Sequence, residues 1–192
     1  MKRTILTLAV TLLLVTGAVA QYPKPAITGT EQPKADLYFG YAHTITDYNN
    51  ASGGLIQFNG FEADYTGYIT RHIGITGSFL PVYGGPFSVK QLSFTVGPKL
   101  LLHAGRFEPF ITAQFGYARQ NSTGMYRYSH AVPPPNNIET GFTYRLGGGL
   151  DVPVSQRFFI RVFQADWQRM PWGTSSGVPY YVNVGGGLGI RF

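Results

Sequence analysis

The sequence predicts an all-β fold, an eight-stranded antiparallel up-and-down barrel. Three observations predict it. Apolar residues alternate with polar or small ones along many short segments, the period of two that marks strands with one apolar face. The connections between those segments are alternately short and long. After the first twenty residues no 3.6-residue periodicity survives for three turns, so no helix is expected there. Composition agrees: the 192 residues include 25 Gly, 14 Phe and 13 Tyr but only 12% charged residues. Such a chain is neither disordered nor highly charged. The absence of Cys excludes a disulfide scaffold, a thiolate metal site, a Cys nucleophile and a lipid-modified N-terminal Cys.

Residues 1–20 read as a secretory signal. Lys2 and Arg3 precede an apolar run from Ile5 to Val15, and Ala18-Val19-Ala20 ends in the small-x-small pattern, so cleavage is expected before Gln21. The run is shorter than the roughly 20 apolar residues of a spanning helix. Removing it takes Lys2 and Arg3 away and lowers the net charge from +6 to +4. The remaining basic residues are scattered, without the one-sided stripe of a nucleic-acid binder. Residues 21–34 hold Pro23, Pro25 and Pro33 and read as an extended tail. The barrel is expected over 35–192.

The elements follow in order. Residues 36–44 place Leu37, Phe39 and Tyr41 on one face. Residues 60–70 oppose Phe61, Ala63, Tyr65, Gly67 and Ile69 to Gly60, Glu62, Asp64, Thr66 and Tyr68. Residues 73–80 align Ile73, Ile75, Gly77 and Phe79, and residues 91–101 align Leu92, Phe94, Val96, Pro98 and Leu100. Residues 110–118 align Ile111, Ala113, Phe115 and Tyr117. Residues 141–152 oppose Phe142, Tyr144, Leu146 and Leu150 to Thr143, Arg145 and Asp151. Residues 158–168 are less regular: Phe159, Phe163, Ala165 and Trp167 share a face with Arg161. Residues 181–192 oppose Val182, Val184, Leu188, Ile190 and Phe192 to Tyr181, Asn183 and Arg191. Short connections fall near Arg71-His72, His103 to Arg106 and Val154 to Gln156; long ones run over 45–58, 81–89, 119–138 and 169–179. Two departures call for bulges. Pro98 followed by Leu100-Leu101-Leu102 is one, and Arg161 on an apolar face is the other, unless Arg161 snorkels to an interface. The Gly triplets at 147–149 and 185–187 are an internal echo, best read as close packing.

The next question is which face lies outside. A soluble barrel turns its apolar face inward, and a membrane barrel turns it to lipid. Three features favour lipid. The polar face carries charges of both signs, Glu62, Asp64, Lys99, Arg145, Asp151, Asp166 and Arg191, which can pair in a narrow lumen. That face is otherwise rich in Gly, Ser and Thr, unlike a solvated surface. Aromatic residues gather at strand ends in two belts. Tyr68, Phe107, Phe158 or Phe159, and Phe192 lie by the short turns, and Tyr41, Phe79, Tyr83, Tyr117, Trp167, Trp172 and Tyr180 by the long loops.

With the signal, the four hairpins and a last strand from Val182 to Phe192, the chain resembles the small eight-stranded outer-membrane proteins of Gram-negative bacteria, the OmpA/OmpX-like barrel group. The resemblance covers residues 36–192. It implies a transmembrane barrel in the outer membrane, in contact with its lipid, with short turns in the periplasm and long loops outside. It also implies that Val184, Leu188, Ile190 and Phe192 serve as an assembly signal read by the barrel-assembly machinery; Gly186 is the weak position in that pattern. Unlike in the longer members, no peptidoglycan-binding domain is expected after the barrel, so cell-wall tethering is not implied.

Candidate sites are few. Glu62, Asp64, Lys99, Arg145 and Asp166 form a lumen network, either a polar path or a salt-bridged plug; an eight-strand lumen has room for side chains and little else. Tyr126, Arg127 and Tyr128, ahead of the Pro133-Pro134-Pro135 run, form a candidate contact loop for an unidentified extracellular partner. His43, His72, His103 and His130 show no metal-ligand spacing, so no metal or cofactor is expected. Ser129-His130 and Ser78 offer no Ser/His pair on one strand face, so no catalysis is expected. The function expected is structural or adhesion-like, in a monomer with no continuous pore. A small-solute channel, a rim-sited lipid enzyme and a soluble ligand-binding barrel stand as alternatives.

Overall fold

The computed structural model describes residues 34–46, 55–84, 90–104, 106–121, 138–170 and 180–192. The signal segment with Ala18 and Ala20, the tail before Lys34, and the loop with Tyr126, Arg127 and Tyr128 lie outside these residues. So do Trp172, Ser129 and His130.

Eight strands run β1 Ala35–Thr46, β2 Ile56–Tyr68, β3 Ile73–Tyr83, β4 Lys90–Leu101, β5 Glu108–Asn121, β6 Ile138–Pro153, β7 Phe158–Arg169 and β8 Tyr180–Arg191. Each pairs antiparallel with the next, and β8 closes on β1 into a barrel. Closure leaves no unpaired sheet edge. At the seam the Lys34 amide donates to the Phe192 carbonyl at 2.7 Å, so the ladder begins at the last residue before β1.

The register sets the shape. From Asp36 the paired path runs through Thr66, Thr76, Gly97, Gln114, Arg145, Gln168 and Tyr181 and re-enters β1 at Thr46, ten residues further on. For eight strands this displacement implies a tilt of about 40° and a lumen that side chains fill.

The apolar face is on the outside. Leu37, Phe39, Tyr65, Ile75, Phe94, Phe115, Leu146 and Leu188 are exposed, while Glu62, Asp64, Lys99, Arg145, Asp151 and Asp166 are buried. This inverts the arrangement of a water-soluble protein, whose buried residues are mostly apolar.

Four expectations about individual positions are corrected. Pro98 and the following leucines need no bulge: the β3–β4 and β4–β5 registers run unshifted past them, with Leu101 inward and its neighbours outward. Proline simply occupies an outward position and forgoes one donor. Arg161 faces the lumen instead of the outer surface, because β7 shifts register between Arg161 and Gln164. The extra residue there leaves Val162 and Phe163 both exposed and turns Arg161 and Gln164 both inward. Below that bulge the phase is reversed, so Phe159 is buried and Phe158 alone joins the outer belt. Tyr68 does not join the belt at the short turns: it points inward, as its place in the alternation of β2 requires, its hydroxyl donating to Asp36 Oδ2 at 2.6 Å.

Inward glycines make room for bulky lumen neighbours. A Cβ added at Gly40 would meet the Tyr38 phenol, and one at Gly189 would fall within the Phe159 ring. At Gly147 it would meet the Asp166 carboxylate, and at Gly149 the Phe110 ring.

Candidate functional site

The lumen is stratified. Toward the long connections it is apolar: Ala42, Phe58, Leu80, Val82, Ala118, Met170 and Tyr181 form one buried cluster. The sequence reading missed this layer, since Phe58 and Met170 fall in stretches read as loops. Tyr181 satisfies its hydroxyl by donating to Gln120 Oε1 at 2.7 Å.

Below lies the charged layer. Strand alternation brings Arg145 inward from β6, where its Nη2 pairs with Glu62 Oε1 at 2.5 Å and with Asp166 Oδ2. The β7 bulge brings in Arg161, which donates from Nε to Asp151 Oδ1 and from Nη1 to Asp64 Oδ2, both at 2.8 Å. Its Nη1 also reaches Gln164 Oε1 at 2.6 Å. The amide of Gln164 joins the two halves, donating to Glu62 at 3.2 Å and to Asp166 at 2.7 Å. Lys99 Nζ lies 3.6 Å from Asp151 Oδ2 and 4.6 Å from the centre of the Phe110 ring. The Arg161 guanidinium stacks 3.9 Å over Tyr38 and 4.4 Å over Phe110. Arginine suits this place because its planar fork serves carboxylates and aromatic faces together.

These charges hold one another. A buried ion costs several kcal/mol unless geometry and hydrogen bonds compensate. Each guanidinium here serves two carboxylates on different strands. Chemically the layer ties β2, β4, β6 and β7 together across the lumen.

At the short-turn end Arg191 pairs with Glu108 and lies 3.4 Å from Asp36 Oδ1, with its guanidinium 5.0 Å from the Phe159 ring centre. Beside it two histidines meet that the sequence did not pair. His72 and His103 approach to 3.4 Å between their Nδ1 atoms, and His103 Nε2 lies 3.8 Å from Glu108 Oε1. His72 Nδ1 also lies 3.0 Å from the Leu101 carbonyl. Burial pushes the His103 imidazole below its usual range, against the pull of Glu108. Among the described residues no three His, Asp or Glu side chains converge as a metal ion would require.

The structure therefore gathers Glu62, Asp64, Lys99, Arg145 and Asp166 into one layer. It adds Arg161, Asp151, Gln164 and Tyr38, which the sequence reading left out of the network. Asp151, Tyr38 and Gln164 were reachable from alternation; Arg161 was hidden by the bulge. Val184, Leu188, Ile190 and Phe192 all lie on the outer face. Ser78 is inward and accepts from Gln114 Nε2 at 3.0 Å. Tyr41, Tyr83, Tyr117, Trp167 and Tyr180 are exposed by the long connections, and Phe107, Phe158 and Phe192 by the short ones.

No protein-family model and no curated protein sequence matches the chain. Solved structures do. Neisserial surface protein A superposes with a TM-score of 0.66 at 9% identity, over 83% of this chain and 97% of that one. Ail, the attachment invasion locus protein of Yersinia pestis, gives 0.56 at 16% identity in its complex with the heparin analogue sucrose octasulfate, over 84% and 100%. The N-terminal β-barrel domain of Pseudomonas aeruginosa OprF gives 0.51 at 11% identity, over 84% and 100%. At these identities the likeness is one of fold: this chain is a closed eight-stranded antiparallel barrel of the kind seen in small outer-membrane proteins.

Proposed function

We propose that the chain is an integral outer-membrane β-barrel with a structural or surface-interaction role and no continuous pore. The observation that carries the membrane assignment is the inverted surface, apolar outside and charged inside, on strands of 11 to 16 residues. About 9–11 tilted residues cross a bilayer. The stacked layers of the lumen support the absence of a pore. Apolar side chains fill one level, and paired Arg, Lys, Asp and Glu side chains fill the next. The likeness in fold to a protein named for attachment and invasion favours an adhesion-like role over transport.

In this reading residues 1–20 direct export and are removed after Ala20, and the assembly machinery reads Val184, Leu188, Ile190 and Phe192. The barrel works as a monomer, without catalysis, and the long connections with Tyr126, Arg127 and Tyr128 carry any contact with an external partner.

Cell fractionation with gel mobility of unboiled and boiled samples tests the assignment. The expected result is an outer-membrane band whose mobility shifts on heating. A soluble periplasmic product with no shift overturns it. Large, stable single-channel currents in planar bilayers would replace the plugged lumen with a channel, and products formed from lipid A or phospholipid would establish an enzyme.

A further inference from the structure

The outer face carries a groove. A cavity of about 530 Å³ runs over β1 to β5, bounded by Leu37, Tyr65, Phe94, Phe115 and Tyr117, with Gly77 in its floor. Phe79 and Phe94 stand in its upper wall with ring centres 4.7 Å apart, and Phe61 backs Phe79 at 6.0 Å. Its floor is low because Gly77 faces outward between Tyr65 and Val96, its paired neighbours on β2 and β4.

Gly77 is unexplained by the fold. A strand glycine ordinarily marks a bulge, a tight bend or the close approach of another group to the backbone. The β3–β4 register runs unshifted past Gly77, its φ is not positive, and a Cβ built there meets nothing within 4 Å. The inward glycines answer to their crowded neighbours; Gly77 and Gly67 on the outer face meet nothing in the chain, and of these two Gly77 lines the groove. The remaining role is to admit something from outside. On a surface facing hydrocarbon, that something is an acyl chain, and a volume of this size lies within the range of ligand sites.

One polar feature continues the groove. Arg119 is exposed on β5, two residues beyond Tyr117 on the same face, about 7 Å nearer the long connections. None of the ion pairs among the described residues involves it. A guanidinium there lies where a lipid's head group would meet the outer edge of the apolar band.

We propose that this groove is a binding site for a membrane lipid with an anionic phosphate head group, its acyl chain lying over Gly77 and its phosphate at Arg119. The inference rests on the membrane assignment. Moving a chain from bulk lipid into the groove brings no hydrophobic gain, so selectivity comes from close contact and from the charge-assisted hydrogen bonds of Arg119.

The test uses the full chain in phosphatidylcholine vesicles doped with phosphatidylglycerol that carries a photoactivatable group on its acyl chain. Labelled positions are read by peptide mass spectrometry. Label is expected on Tyr65, Phe94 and Phe115 at about threefold or more the level on the β7–β8 face around Val162 and Leu188. Gly77→Leu, whose Cβ meets nothing within 4 Å, places a side chain in the groove and is expected to abolish the excess; Ala63→Leu is the second filling variant. Arg119→Gln is expected to remove the advantage of phosphatidylglycerol over phosphatidylcholine bearing the same chain. Uniform labelling around a barrel that still shows its heat-dependent mobility shift overturns the groove proposal alone. Failure to insert and to show that shift overturns the membrane assignment instead.

Discussion

Arg161 on β7 donates from Nη1 to Asp64 Oδ2 on β2 at 2.8 Å, across 97 positions of sequence. The two strands share no ladder, so this bond crosses the lumen. Arg145 does the same from β6 to Glu62 on β2. The barrel is thus held by its backbone around the circumference and by two guanidinium groups through the centre.

Arg161→Met is expected to leave Asp64 and Asp151 buried without their main partner. Removing one member of a buried pair costs about 3–5 kcal/mol. Urea unfolding in lipid vesicles, followed by loss of the heat-dependent mobility shift, measures it. Arg145→Leu should likewise destabilise the barrel without creating conductance in planar bilayers.

Gly189→Ala sets a methyl group against the Phe159 ring. Overpacking of this kind costs about 1–3 kcal/mol. Phe159→Ala should relieve it, so the double variant should lose less stability than the two single losses combined. Unfolding of all four chains in the same vesicles measures the coupling.

Deletion of Val162 should be tolerated. It removes the extra residue of the β7 bulge and leaves Arg161, Phe163 and Gln164 alternating in, out and in. Deletion of Ala165 should not be tolerated, since it would reverse the facing of Asp166 and its successors. Refolding yield, read from unboiled gels, distinguishes the two deletions.

The His103 imidazole sits below its ordinary value of 6.5. The unfolded chain therefore takes up that proton at higher pH than the folded one. The contribution of His103 is complete above about pH 6.5 and is lost as the pH falls toward the folded value. His103→Gln should lose less stability than the unaltered chain between about pH 7.5 and about pH 5.5. Urea midpoints at the two values check it.

Much of this architecture is legible in the sequence, for a local reason. Period-two alternation depends only on near neighbours, so it showed that Glu62, Asp64, Lys99, Arg145 and Asp166 share one face and that Leu37, Phe94 and Val184 share the other. Alternation says nothing about which residues meet across the lumen. That depends on the ten-residue displacement of the closed register, a property of eight strands together.

Where one extra residue enters β7, alternation loses its phase, so Arg161 and Phe159 face opposite to the simple pattern, while Gln164 beyond the bulge keeps the inward facing that alternation gives it. The pairing of His72 with His103 was hidden because two turns distant in sequence become neighbours only when β3 pairs with β4. The strands and their two faces are thus written in the chain by local sterics and hydrophobic patterning. The partners of the buried charges, the apolar layer above them and the groove over Gly77 are decided by closure of the barrel, which brings distant strands within reach of one another.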